Sequence, residues 1–223
     1  MTNKYGPRII TDGLVLCLDA ADKNSYPGTG TSWYDLSGNG NDGTLTNGPI
    51  YNGSDGGYID LDGIDDTVNL EYDLRSNWTY ECWVNKDSKD NFGFLGQGVY
   101  GTSRGLHIIM FNDRLRFGMY SNDTDIIGLY SNTLTGIWYH YVFTYNHSTF
   151  LKQVYRDGVE LTGSPLQTQI AYLGTGTVRI GATYSSGSQF ANGKISSAKI
   201  YNRVLTPSEI SQNYQALKSR YNL

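Results

Sequence analysis

Glutamate is the scarcest charged residue in this chain of 223 residues. Of 21 acidic residues only Glu71, Glu81, Glu160 and Glu209 are glutamates, and the rest are aspartates. A chain this poor in a strong helix former, and rich in a turn former, does not read as a helical protein. Cysteine is equally sparse. Cys17 and Cys82 both fall in predicted strands and read as buried thiols acting as small hydrophobes, with their pairing left open. Basic residues number 17 against the 21 acids, a formal net charge of −4. They form no cluster or stripe that could track a phosphate backbone, which argues against nucleic acid as a partner. No apolar run reaches membrane-spanning length, so no membrane partner is expected. The opening Met1-Thr2-Asn3-Lys4-Tyr5-Gly6-Pro7 lacks the apolar core of a signal peptide. Action outside a cell would then need another route, such as lysis or assembly into a larger particle.

Catalytic patterns are missing too. There is no Gly-x-Ser-x-Gly elbow and no Cys/His dyad. Retaining glycan hydrolysis needs two carboxyls about 5–5.5 Å apart, and no run of the sequence identifies such a pair. Asp60-Leu61-Asp62 alternates but opens into a turn, and Glu71-Tyr72-Asp73 has no third acid. The three histidines, His107, His140 and His147, lack metal-ligand spacing, and His140 reads as a satisfied core histidine. The expectation is a protein that is not an enzyme, with no catalytic residues.

What the chain has in abundance is glycine (27) and tyrosine (19). Short β-prone runs recur between turn signals at 14–20, 58–61, 66–71, 78–86, 92–96, 105–111, 114–120, 125–130, 137–145, 150–156, 159–162, 177–182 and 194–202. In Trp78-Thr79-Tyr80-Glu81-Cys82-Trp83-Val84 the even positions share one face, while Glu81 and Trp83 share the other. Trp138 to Tyr145 carries aromatics on both faces, which predicts a strand covered on both sides. Arg156-Asp157-Gly158-Val159 signals a tight hairpin. One helix is expected, opened by the capping box Thr206-Pro207-Ser208-Glu209 and carrying Ile210, Tyr214, Leu217 and Tyr221 on one face. Residues 21–57 read as a long, loop-rich connection.

Two turns concentrate oxygen donors. Asp35, Asn39, Asn41 and Asp42 lie in the first, and Asp62, Asp65 and Asp66 in the second. Carboxylates, amide oxygens and free carbonyls are the ligands of a hard cation, so the two turns are expected to meet around a structural calcium ion. The competing expectation is that these side chains cap their own turns. For glycan binding, aromatic faces stack on pyranose rings while amides and carboxylates fix hydroxyls. The loop candidates are Tyr100, Tyr120, Asn122, Asp123, Tyr130, Tyr172 and Tyr184.

These segments, taken in order, resemble the laminin-G-like, concanavalin-A-like lectin-glucanase family. The resemblance is carried by Asp35-Leu36-Ser37-Gly38-Asn39-Gly40-Asn41-Asp42-Gly43-Thr44, Leu61-Asp62-Gly63-Ile64-Asp65-Asp66-Thr67-Val68 and Tyr80-Glu81-Cys82-Trp83-Val84. Trp138-Tyr139-His140, Tyr155-Arg156-Asp157-Gly158 and Ile200 to Ile210 extend it. The opening, from Tyr5 to Ala21, is similar to the start of such domains in virion proteins of marine tailed phages. The resemblance implies an all-β, two-sheet antiparallel jelly-roll sandwich with a short C-terminal helix. It also implies a structural calcium in many members, and carbohydrate or protein recognition. Many relatives carry an acidic pair after a Gly-x-Ile; here the segment reads Ser196-Ser197-Ala198, which leaves that part of a ligand set unfilled. The expected organisation is an N-terminal arm (1–12), a jelly-roll domain (13–205) and a C-terminal capping helix (206–223). The expected role is a virion surface protein, head decoration or fibre component, that binds host-surface glycans or neighbouring virion proteins, with self-association into a homo-oligomer left open. The arm is expected to anchor the domain to the particle. The alternatives are a secreted or cell-surface bacterial carbohydrate-binding module and a glycan-cleaving enzyme of the same fold.

Overall fold

The computed structural model describes residues 7–54, 56–87, 91–99, 101–111, 114–120, 125–126, 134–161, 163, 166–167, 171–183 and 189–223. In chain order the strands are β1 (Leu14–Asp19), β2 (Ser32–Trp33), β3 (Gly43–Thr46), β4 (Ile50–Asn52), β5 (Tyr58–Asp62), β6 (Thr67–Leu70), β7 (Trp78–Lys86), β8 (Asn91–Gly98) and β9 (Gly105–Phe111). They continue with β10 (Arg114–Met119), β11 (Asp125–Ile126), β12 (Trp138–Asn146), β13 (Leu151–Arg156), β14 (Val159–Glu160), β15 (Leu166–Gln167), β16 (Val178–Ile180) and β17 (Asn192–Tyr201). Helix α1 (Pro207–Leu217) and a 3-10 turn (Lys218–Tyr221) close the chain. Among the described residues the strands form two antiparallel sheets. One runs β14-β13-β12-β7-β17-β5-β4, with β1 beside β17 and β15 beside β13; the other runs β11-β10-β9-β8-β16-β6-β3-β2. This is the jelly-roll sandwich. The stretch read as loop, 21–57, contains three short strands, β2 to β4, whose two to four residues are too few to show alternation.

The facing sides of the sheets make one core. Trp78, Tyr80, Cys82 and Val84 of β7 and Tyr139, Tyr141, Phe143 and Tyr145 of β12 point into it, against Phe92, Phe94, Leu106, Ile108, Leu115 and Phe117 of the opposite sheet. The strand alternation is as expected. So is the hairpin, where Asp157 (φ 53°) and Gly158 (φ 81°) turn the chain between Arg156 and Val159. No helix among the described residues is long and apolar enough to cross a membrane.

The outer side of β7 and β12 is also apolar, and α1 covers it. Val142, Tyr155, Tyr201, Leu205 and Ile210 cluster there. Trp83, Trp138 and Tyr58 cluster with Tyr221, packed by Tyr214 and Leu217. Trp83 stacks on Tyr221 with ring centres 4.2 Å apart. The capping box forms, with Thr206 accepting from the Glu209 N–H and Glu209 accepting from the Thr206 N–H. Arg203 grips the same carboxylate with two N–H donors at 2.9 and 2.7 Å. Those Arg203 bonds, assisted by Thr206 and opposed by partial burial, hold the Glu209 carboxyl down at about 2.

Beneath the helix lies a polar cluster. Lys199 Nζ donates to Glu81 Oε1 at 2.9 Å, and Asn213 Nδ2 donates to Glu81 Oε2 at 2.7 Å and to the Tyr201 hydroxyl at 3.0 Å. Burial alone would raise the Glu81 carboxyl, but Lys199 and His140 overcome it and hold it well below the usual carboxylate range. Burial would likewise lower Lys199, and Glu81 more than reverses it. His140 is buried as expected, yet neither ring nitrogen has a hydrogen-bond partner; Nε2 stands 3.8 Å from Glu81 Oε2.

Residues 7–12 are committed to the domain. The Ile10 N–H donates to Asn213 Oδ1 at 2.8 Å, Tyr201 donates to the Ile10 carbonyl, and Gln212 donates to the Arg8 carbonyl. Ile10 also packs on the cluster of Val142 and Ile210. These residues of the expected arm seal the helix interface, and residues 1–6 of it lie outside the described residues.

The two donor-rich turns do not meet. In the register of β3 with β6, Thr44 faces Asn69 and Thr46 faces Thr67. The 35–42 turn therefore enters β3 at one end of this pair, and the 62–66 turn enters β6 at the other, on the order of 10 Å away. Asp35, Asn39, Asn41 and Asp42 are instead used in holding β1. Asp35 Oδ1 accepts from the Cys17 and Ser37 N–H groups, and Oδ2 from the Ser37 hydroxyl and the Asn41 N–H. Asp42 accepts from the Asp35 N–H, while Asn39 and Asn41 donate to the Leu14 and Val15 carbonyls. The turn thus covers the edge of β1 that faces away from β17. Cys17 and Cys82 are free thiols on opposite faces, separated by β17, which registers Cys17 with Lys199 and Ala198 with Cys82. Two strand spacings, about 9 to 10 Å, are too wide for a disulfide.

Two outcomes follow. Asp35→Ala leaves several donors of β1 and its turn without an acceptor and should cost about 2 to 4 kcal/mol in denaturant unfolding, with no change in the response to calcium. A calcium response that disappears with Asp35 would restore the two-turn site. The Glu209 carboxyl is depressed in the folded state, so its contribution is complete above its ordinary value of 4.5 and is lost as pH falls toward about 2. Glu209→Gln should cost about 1 to 2 kcal/mol at neutral pH, and the gap to the parent should close on acidification. A gap that stays constant with pH contradicts the assignment.

Candidate functional site

The site grows from the corner where the chain leaves one sheet for the other. β5 lies beside β17 in the first sheet, β6 beside β3 and β16 in the second, and residues 63–66 make the crossing. Gly63 is required there: its φ is +78°, and a Cβ would stand 2.7 Å from that of Asn192. Asp62 Oδ1 accepts from the Ile64 N–H at 2.8 Å, and Asp66 Oδ2 from the Asp62 N–H at 3.1 Å. Asn47 donates to the Asp65 carbonyl at 2.8 Å and ties in the strand end of the opposite sheet.

This folding brings Asp62, Asp65 and Asp66 together, with one carboxylate oxygen of each within 4.8 Å of the others. Asp62 and Asp65 are exposed, but Asp66 is only 4 % exposed and its Oδ1 is buried with no hydrogen-bond partner. An orphaned buried acceptor of this kind is costly and calls for a ligand. Burial raises the Asp66 carboxyl, and Asp62, Asp65 and Asp60 raise it further, against the Asp62 N–H that lowers it. Asp60 is raised by burial and by Asp87, against Lys194. Lys194 is itself held by Asp87 at 3.0 Å. A divalent cation would relieve this crowding of like charge, and three carboxylates are the hard oxygen set that calcium takes. Ser196 and Ser197 stand four and five residues along β17 from Asn192, the partner of Asp62, so the missing acidic pair removes nothing from this cluster.

Beside the cluster opens a cavity of about 270 Å³ lined by Asn47, Ile50, Asp60, Asp62, Asp66 and Asn192. Ile50 is 70 % exposed and Ile64, at the tip of the turn, 73 %. The pocket therefore combines an aliphatic wall, amides and carboxylates, the inventory for fixing hydroxyl groups. Asn47, Ile50 and Asn192 were not anticipated, because they come from separate segments that only the register unites. Asp60 was visible as the alternate partner of Asp62.

The expected aromatic glycan set fares differently. Tyr172 is fully buried, donating its hydroxyl to the Gln97 carbonyl and Oε1, both at 3.2 Å, and cannot stack on a sugar. Burial raises its phenol well above the ordinary value. Tyr120 is half-buried at the end of β10, with its backbone bonded to Gly105 and Ser103. Tyr100, Asn122, Asp123, Tyr130 and Tyr184 lie outside the described residues.

Solved structures share this architecture. Domain 4 of AbnA, a GH43 extracellular arabinanase from Geobacillus stearothermophilus, in complex with arabinotriose, matches with a TM-score of 0.68 at 21% identity over 91% of this chain and 98% of that one. Trypanosoma rangeli sialidase in complex with sialic acid matches with a TM-score of 0.67 at 20% identity over 93% of this chain, which spans only 33% of the sialidase. The receptor binding domain of botulinum neurotoxin C/D mosaic serotype matches with a TM-score of 0.66 at 15% identity, over 92% of this chain and 51% of that one. No curated protein matches the sequence. A family model covers residues 52–211, from β4 through the acidic corner into α1, and by it the chain belongs to the concanavalin A-like lectin/glucanases superfamily.

Proposed function

We propose that this is a non-enzymatic carbohydrate-binding domain whose acidic corner, completed by a calcium ion on Asp62, Asp65 and Asp66, binds neutral glycans in the adjoining pocket. The observation that carries the reading is the buried, unpartnered Asp66 Oδ1 beside two exposed carboxylates at the mouth of an open pocket. When bound, calcium supplies positive charge to the corner and a Lewis-acidic contact for sugar hydroxyls. Asn47, Asn192 and Asp60 orient hydroxyls, and Ile50 offers an apolar wall to a sugar face. The arrangement does not favour hydrolysis. The three carboxylates share one turn, whereas glycosidases place two across the scissile bond. Glu81 is sealed beneath α1 by Lys199 and Asn213.

Calcium added to chelated protein should raise Tm by several degrees, because only the folded state presents the site. The same addition should switch on binding to neutral oligosaccharides on a glycan array, and Asp66→Asn should abolish both effects. Identical melts and identical glycan binding with calcium and with chelator would remove the reading.

We further propose that the domain sits on a virion surface, as a head decoration or fibre component. The resemblance of its opening segment to virion proteins of marine tailed phages supports this. A secreted or surface bacterial module is the second reading, favoured by the match to nearly all of the arabinanase domain. Proteomics of purified particles should find the protein at structural stoichiometry; its absence there, with recovery from a bacterial secreted fraction, would select the second reading.

A further inference from the structure

The cluster under α1 holds more than an ion pair. Lys199, Glu81 and Asn213 come from β17, β7 and α1, and each is at most 2 % exposed. Glu81 touches both of the others, accepting from Lys199 Nζ at 2.9 Å and from Asn213 Nδ2 at 2.7 Å. A primary amine, a primary carboxamide and a carboxylate that bridges them are a nucleophile, an acyl donor and a proton carrier. The acyl group is also polarised. Asn213 Oδ1 accepts the Ile10 backbone N–H at 2.8 Å, a donor placed where negative charge would develop on attack. The Tyr201 hydroxyl, 3.0 Å from Asn213 Nδ2, holds the group that would leave. The burial of all three groups keeps the site dry.

We propose that Lys199 and Asn213 become joined by an intramolecular isopeptide bond, formed autocatalytically with Glu81 as the proton carrier. The resting state is the ammonium–carboxylate pair. A proton passes from Lys199 Nζ to Glu81 Oε1 and frees the amine lone pair; the pairing holds the ionised form at rest, and burial, which penalises both charges, lowers the cost of reaching the neutral pair. Nζ attacks Asn213 Cγ, forming the C–N bond and pushing the carbonyl electrons onto Oδ1 against the Ile10 N–H. Glu81 then gives its acid proton to Nδ2 and, a carboxylate again, takes the second proton from Nζ. The Cγ–Nδ2 bond breaks, the carbonyl re-forms, and ammonia departs with the remaining proton as ammonium. The products are a secondary amide and an ionised Glu81. No oxidant, metal or co-reactant is consumed. Anchoring both groups on the two oxygens of one buried carboxylate replaces the bimolecular encounter that makes amide exchange slow in water. The bond would tether α1 covalently to the central strand β17.

The test is the intact mass of the purified full chain. Wild type should be lighter than its sequence mass by one ammonia, about 17 Da. Tryptic peptides should show Lys199 uncleaved and linked to the peptide containing Asn213. Glu81→Gln, which keeps the shape but not the proton carrier, and Asn213→Ala, which removes the acyl donor, should both have their full sequence masses, with circular dichroism confirming the fold. Wild-type protein that keeps its full mass after prolonged incubation in the folded state overturns the proposal whatever the variants do. So does an ammonia loss that maps to a different pair.

Discussion

Strands β7 and β12 carry large side chains on both faces, and neither face can be left in water. The inner face is answered by the second sheet, as in any sandwich. The outer face exposes Trp83, Trp138, His140 and Val142, and it needs a cover of its own. Helix α1, the 3-10 turn and residues 7–12 supply it. Residues 7–12 and the C-terminal helix thereby share one side of the sandwich, and the helix is a third layer rather than a cap on an end. The polar cluster of Glu81, Lys199 and Asn213 sits within this layer. A hydrogen-bonded Asn on the buried face of a helix fixes its position, since a shift of one residue would leave Glu81 with an unpaired oxygen.

In the proposed reading, with one outer face sealed, recognition uses a sheet-to-sheet corner. The 62–66 corner is suited to it because the chain turns sharply there, and a turn built from aspartates crowds like charges. The 35–42 turn has the same composition and a different task. Its carboxylates are consumed by backbone N–H groups of β1 and of the turn itself, while the second turn retains a buried oxygen with nothing to accept from. That unsatisfied oxygen is what distinguishes the second turn from the first and supports the proposed site there.

Much of the fold could be read from local chemistry. The alternation of β7, the Asp-Gly hairpin and the Thr206 capping box are each decided by a few neighbouring residues and hold as expected. What could not be read depends on pairing between distant segments. β2 to β4 are too short to alternate and form because β3, β6 and β5 respectively offer them edges. Tyr172 has the sequence context of a loop, but the buried side chain of Gln97 draws its hydroxyl inward. The acidic corner was legible as donors, and its separation from the 35–42 turn was not, because only the β3–β6 register sets them at opposite ends. Asn213 belongs to no apolar stripe. Its role follows from Glu81, more than a hundred residues earlier.

The location of the binding site is the central functional claim, and amide chemical-shift mapping addresses it directly. Titrating a neutral oligosaccharide into calcium-loaded, isotope-labelled protein should perturb the amides of Asn47, Gly48, Ile50, Asp60, Asp62 and Asn192 together, in a saturable manner. Shifts confined to the opposite end of the sandwich, around Arg75, His147 and Leu173, would contradict the account and move recognition away from the acidic corner.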